Sequence, residues 1–356
     1  MRVVVAPDSF GGWQTASQVA ERMAQRLRRA GHTVDCRPMS DGGEGLLDAL
    51  AHGGQLRERW VVDGTGPHGA DRAGAMGRLD DGTVVVESSV WLRALHTRDP
   101  WGASALGLGR VLADQLGQPT IIGLGGSSTV DLGLGLLAAL GIHAVDQHGR
   151  RVPPIPAELY RVARFEGTAV DAASWEVWAD VTTPVTRGAL GFGPQKGVDP
   201  NLLAGLQAGW VRAAAALQDW CRRSGRSSPP LHLAGGGAAG GLGFALAAIG
   251  ATVVPGVSAM AARVLHDLDT DLLVTGEGRL DATSADDKVV QWLSTHCADK
   301  GIRFAAIVGQ RAKGAPALAG PVFVADQSTD RDIALSAAVD ALLAHMSMRP
   351  ISASRS

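Results

Sequence analysis

Five stretches of this chain gather residue types that can bind and transfer charged groups. The first two are Asp8-Ser9-Phe10-Gly11-Gly12 and Ser40-Asp41-Gly42-Gly43-Glu44-Gly45. The third is Gly123-Leu124-Gly125-Gly126-Ser127-Ser128-Thr129-Val130-Asp131. The fourth runs from Asp180-Val181-Thr182-Thr183-Pro184 to Gly191-Phe192-Gly193-Pro194-Gln195-Lys196-Gly197. The fifth is Thr275-Gly276-Glu277-Gly278-Arg279-Leu280-Asp281, with Lys288 beyond it. Singly, each has a plainer explanation. Asp8 or Asp131 at a loop–helix junction reads as a helix cap, a glycine turn as a turn, and Lys196 as a solvated surface group. Together they supply carboxylates for Mg²⁺, cations for anionic oxygens and glycine turns that let backbone N–H groups approach phosphate. Phosphoryl transfer needs those parts, because its catalysis is mostly positioning and charge neutralisation.

The elements that must carry these loops follow from periodicity. Residues 3–7 form an apolar, β-branched strand of the kind buried on both faces of a parallel sheet. Thr15 and Gln18 have capping-box spacing, Val19, Met23 and Leu27 recur at helical intervals, and Gly31 closes that helix. A second strand follows at 33–38, then the Ser40–Gly45 loop and a short helix, which is the opening of a doubly wound sheet. Near residue 60 the rhythm changes to strands at 59–63, 73–79 and 83–88, with a hairpin turn at 80–82. A helix over 102–116, a strand over 119–124, a helix over 131–140 and a strand over 271–275 follow. The α/β alternation resumes with a helix over 288–299 and a strand over 303–308. The expected organisation is a discontinuous first domain, 1–59 plus 286–356, with a second α/β domain, 60–285, inserted into it. The last ten residues are expected to fray.

Composition narrows the class. A net charge of -2 and 4% aromatics leave no basic, aromatic stripe for nucleic acid and no field toward an anionic membrane. The three cysteines are far apart, so neither a disulfide framework nor a zinc motif is implied, and a reducing cytoplasm fits. The uncharged run from 233 to 262 is long enough to span a bilayer, but its eight glycines and Pro255 make it a buried loop, helix and strand. There is no GxxxxGK[ST], no GxGxxG after the first strand, no GxSxG and no HExxH.

At these segments the chain resembles the bacterial glycerate 2-kinase family, the type I glycerate kinases. The matching stretches are APDSF (6–10), DGGEG (41–45), GLGGSSTVDLG (123–133), ADVTTP (179–184), FGPQKG (192–197), GGGAAGGLG (235–243) and TGEGRLD (275–281), in family order across about residues 1–340. The resemblance implies ATP-dependent phosphorylation of D-glycerate to 2-phosphoglycerate. It also implies a flavodoxin-like domain carrying the inserted α/β domain, with the substrate in a cleft between them. Asp41, Asp180, Asp281 and Glu277 are then candidates for Mg²⁺ ligation or for the base that activates the hydroxyl, with Asp180 and Asp281 named for the metal. Lys196, Arg279 and Lys288 would neutralise phosphate or carboxylate. Asp8, Ser9, Gly125, Gly126, Ser127, Ser128, Thr129, Asp131, Gly236 and Gly237 complete the expected binding set. The expected partners are ATP and a small hydroxy acid in the cytoplasm, with no nucleic acid or membrane, and a homodimer is compatible with this.

Three positions depart from the family pattern. Gly11 stands where the family carries lysine, and Val130 and Thr183 stand where it carries asparagine. The surroundings of Lys288, at 282–287, differ as well. Arg93 and Arg187 are neighbours that could compensate. Two other readings stay open: the same chemistry on a different hydroxy acid or polyol, and a non-catalytic relative that binds a small ligand.

Overall fold

A computed structural model of the chain describes residues 1–95, 99–281, 288–326 and 330–348. The chain divides into two compact units. The first comprises Met1–Asp41, Asp48–Gly54 and the segment from Met260 onward; the second comprises Gly42–Leu47 and Gln55–Ala259.

The first unit is built on a five-stranded, wholly parallel sheet. Its spatial order is Val322–Val324, Arg303–Val308, Leu272–Glu277, Arg2–Val5, Thr33–Cys36. Numbered along the chain within this unit, that is the 2-1-3-4-5 order of flavodoxin-like folds. Val3 and Val5 are buried, as the run of valines requires. The helix Ala16–Arg29 starts at the Thr15/Gln18 capping box and turns Val19, Met23 and Leu27 inward. It packs beside the helix Arg331–Met348, whose Leu335 and Val339 join the same core.

The strand Leu272–Glu277 pairs with Arg2–Val5 at the centre of this sheet, Val4 lying opposite Leu273. The second unit covers Gly42–Leu47 and Gln55–Ala259, against the expected 60–285, and the strand Leu272–Glu277 lies in the first. An apolar strand run carries no sign of which sheet it joins, because any parallel strand buried on both faces looks alike. The expected departures at 282–287, with the boundary at 286, lie outside the described residues. Of the ten terminal residues expected to fray, Ser347 and Met348 end the helix Arg331–Met348, and 349–356 lie outside the described residues.

The second unit holds a six-stranded mixed sheet ordered Thr252–Pro255, Trp175–Ala179, Thr120–Leu124, Val84–Glu87, Asp71–Leu79, Leu56–Thr65. The first four strands are parallel; Asp71–Leu79 runs antiparallel to Val84–Glu87 across the hairpin turn expected at 80–82, and antiparallel to Leu56–Thr65 on its other side. Trp91, Trp175, Trp178 and Trp210 are among its largest fully buried side chains. The helix expected over 102–116 is shorter, Leu106–Ala113. The uncharged run resolves into the kinked helix Ala238–Ala248 and the strand Thr252–Pro255. No helix among the described residues is long and apolar enough to cross a membrane.

Candidate functional site

In the first unit the acidic residues stand where parallel strands end, the edge at which open α/β sheets bind ligands. Asp8 follows the strand Arg2–Val5, and its N–H donates to the Gly276 carbonyl at 2.8 Å. Glu277 is the last residue of Leu272–Glu277, and Asp41 follows the loop after Thr33–Cys36. The Lys288 Nζ lies 2.6 Å from Asp41 Oδ2. Lys288 also precedes the helix Val289–Lys300, so its backbone is held by that helix. Gly278 permits the close approach of two loops, since a Cβ there would stand 3.0 Å from the Phe10 carbonyl carbon. The exposed Arg279 pairs with Asp281, Nε to Oδ2 at 3.0 Å.

This grouping is short of positive charge. Burial, then the Asp41 carboxylate, push Asp8 up to about 7, against a partial lowering by Lys288 and by the Ser9 hydrogen bonds. The Ser9 N–H donates to Asp8 Oδ1 at 2.6 Å. Burial, then Asp8, push Glu277 up to about 8; Lys288 opposes this and Asp281 and Asp41 add to it. Glu277 Oε1 is buried and has no hydrogen-bond partner among the described residues. Carboxylates crowded in this way suit a bound cation.

In the second unit Asp180 follows the strand Trp175–Ala179, its N–H donating to the Leu124 carbonyl at 3.2 Å. A Cβ on Gly125 would stand 3.2 Å from Asp180 Oδ2, so the glycine lets that carboxylate lie against the loop. Lys196 ends the single turn Pro194–Lys196 and donates from Nζ to the Thr129 carbonyl at 2.9 Å. Burial lowers it to about 8, partly offset by the Asp180 and Asp131 carboxylates. No acceptor is found among the described residues for the N–H groups of Gly125, Gly126 and Ser127. Ser127 Oγ instead accepts from the Thr129 N–H, and Ser128 Oγ accepts from the Ala94 N–H, so both hydroxyls brace the loop.

Arg93 stands beside this loop, its Nη2 3.8 Å from where a Cβ on Gly126 would lie. Its guanidinium forms a fork with both Glu44 oxygens. Arg72 fixes the backbone there by donating to the Val90 and Arg93 carbonyls at 2.7 and 2.6 Å. Glu44 lies inside DGGEG, but sequence reasoning does not single it out; a surface glutamate in a turn gives no sign of its distant arginine.

Two expected binding groups have other partners. Asp131 is fully buried and accepts from the N–H groups of Ala105 at 2.9 Å, Gly133 at 3.2 Å and Gly135 at 3.0 Å. It holds the loop and the start of Leu134–Ala139 rather than facing a ligand. The N–H groups of Gly235, Gly236 and Gly237 donate to the carbonyls of Thr182, Leu233 and Thr183, at 3.1, 3.0 and 2.9 Å. That turn therefore offers these donors to the protein, not to a phosphate. Asp180 and Asp281, the expected metal pair, belong to different units.

The departures separate in the same way. Val130 is 1% exposed and packs in the apolar core, while its carbonyl accepts from Trp210 Nε1 at 2.9 Å. Gly11 is exposed, with φ +43, and a Cβ there would meet nothing within 4 Å. Thr183 is partly buried, and Arg187 is exposed.

A family description, the glycerate kinase family, matches residues 3–346. A glycerate kinase of Halalkalibacterium halodurans is 31% identical over 333 residues, 88% of this chain and 86% of its own. The glycerate 2-kinase of Escherichia coli is 31% identical over 312 residues, 81% of this chain and 80% of its own. The crystal structure of a Salmonella typhimurium protein assigned as glycerate kinase 2 superposes with a TM-score of 0.77 at 27% identity, over 98% of this chain and 99% of that one. The strand orders, the strand-end carboxylates and these similarities agree, and the chain belongs to the glycerate kinase family.

Proposed function

We propose that this enzyme transfers the terminal phosphoryl group of ATP to the 2-hydroxyl of D-glycerate, giving ADP and 2-phosphoglycerate. The observation that carries this reading is the crowding of Asp8, Asp41 and Glu277 around one lysine, with Glu277 Oε1 left without a partner among the described residues. The raised carboxyls fit a divalent cation of the Mg²⁺ type, which Asp41 and Asp281 would hold. When bound, such an ion would supply positive charge against the transferring phosphoryl group.

The chain's own groups then divide the work. Glu277 takes the hydroxyl proton at Oε1, since a carboxyl held near the working pH is an effective base. Lys288 holds Asp41 in place and balances its charge. In the second unit, Lys196 and the Gly125–Ser127 N–H groups take anionic oxygen, with Arg93 beside them as a cation matched to carboxylate or phosphate. Val130 is buried, so its side chain offers that loop no donor. We assign the cytoplasm, whose reducing conditions suit three cysteines that form no disulfide.

The test is ADP release with ATP, D-glycerate and Mg²⁺. Turnover that needs all three supports the proposal; ADP release no greater than in the glycerate-free control overturns it.

A further inference from the structure

Away from these groups, three ligating side chains converge on the first unit. Cys36 ends Thr33–Cys36, the edge strand of the five-stranded sheet. Glu21 lies on the helix Ala16–Arg29, and His52 is the last residue of the helix Leu46–His52. One ligand atom from each lies within 4.8 Å of the others, and among the described residues no other three His, Cys, Asp or Glu side chains do this. Each ligand comes from a separate element, so the fold itself sets the convergence.

The two Glu21 oxygens have different neighbours. Oε2 accepts from Arg28 Nη1 at 3.2 Å, while Oε1 faces His52 Nε2 at 3.4 Å. Zinc bonds of roughly 2.0–2.3 Å to nitrogen, oxygen and sulfur place tetrahedral ligands about 3.5 Å apart. The Glu21–His52 spacing already has that value. Cys36 is partly buried, with Sγ 3.8 Å from the Ala20 carbonyl and 3.6 Å from Arg28 Nη2. Arg28 has the Val34 carbonyl at 3.2 Å as a further acceptor, so it can leave the sulfur while keeping Glu21 Oε2.

We propose that Cys36 Sγ, His52 Nε2 and Glu21 Oε1 bind a zinc-class divalent cation, with water as the fourth ligand. A thiolate–imidazole–carboxylate set favours a borderline ion such as Zn²⁺ over Mg²⁺, which prefers oxygen alone. The thiol proton passes to buffer on binding. The ion would tie the edge strand to two helices and so add to the stability of the first unit.

The experiment uses the full chain, stripped with a chelator and titrated with ZnCl₂ against a chromophoric competitor, with a Co²⁺ titration in parallel. We expect one tightly bound zinc per chain, a thiolate-to-cobalt charge-transfer band, and no displacement by excess Mg²⁺. Cys36→Ser and His52→Gln should each weaken zinc binding by at least about 100-fold, the upper end of what loss of an outer-shell partner costs. Cys36→Ser should also abolish the cobalt band. Circular dichroism of the metal-free variants confirms that they fold. No stoichiometric zinc in the folded wild type, or unchanged affinity in both folded variants, would overturn the proposal. Either result leaves the kinase reading untouched.

Discussion

The Lys288 ammonium sits 2.6 Å from Asp41 Oδ2, and this one cation also eases the charge on Asp8 and Glu277. One lysine among several acidic groups leaves a negative surplus. That surplus makes the first unit sensitive to both pH and cations.

Asp8 and Glu277 ionise in the folded protein near 7 and 8, far above their ordinary 3.8 and 4.5. The folded state therefore binds more protons than the unfolded one between about pH 4 and pH 8, and stability falls as pH rises through that window. Thermal unfolding followed across this range should show Tm declining toward pH 8. Glu277→Gln should flatten the decline, and Mg²⁺ should raise Tm more at high pH than at low. A Tm independent of pH in this window, with or without Mg²⁺, would contradict the crowding.

Lys196 loses its proton near 8 because burial outweighs its acidic neighbours. Activity should fall on an alkaline limb near that pH. Lys196→Met should lower kcat/KM by roughly 100- to 1000-fold, as removal of a charge-stabilising donor does elsewhere. Lys196→Arg, if it supports turnover, should move the limb to higher pH. Steady-state pH profiles of the variants decide this; an unchanged limb in Lys196→Arg would assign it to another group.

Asp131 accepts three backbone N–H groups inside the core. Asp131→Ala should cost about 1–3 kcal/mol of stability, the penalty for stranding buried donors. Denaturant unfolding measures the loss. At temperatures where the variant is folded, KM for ATP and for glycerate should stay near wild type. A large rise in either would return Asp131 to the ligand.

Gly42 and Gly11 both have positive φ, yet substitution should affect them differently. At φ +97, a Cβ on Gly42 would stand 2.6 Å from the Trp178 carbonyl oxygen, whereas Gly11, at φ +43, has open space. Gly42→Ala should cost more than about 2 kcal/mol through strain and collision together. Gly11→Ala should cost only about 1 kcal/mol, from left-handed backbone alone. Equal losses in chemical denaturation would refute the distinction.

The legible part of this protein is local. The capping box at Thr15, the flavodoxin-like opening and the strand-end carboxylates each announce themselves through spacing or residue type. What could not be read depends on partners distant in the chain. Leu272–Glu277 joins Arg2–Val5 across the whole insertion, and Gly235 and Gly237 lose their N–H groups to the carbonyls of Thr182 and Thr183, far earlier in the chain. The Glu44–Arg93 fork and the Glu21, Cys36, His52 grouping follow no motif, because only the fold brings their elements together.

Glycerate phosphorylation at the 2-hydroxyl is tested most directly by one comparison: kcat/KM for D-glycerate against L-glycerate, glycolate, lactate and glycerol, with the phosphorylated product identified by phosphorus NMR. D-glycerate should be the best acceptor, and the product should be 2-phosphoglycerate. A better rate on another acceptor, or phosphate on the 3-hydroxyl, would contradict the assignment.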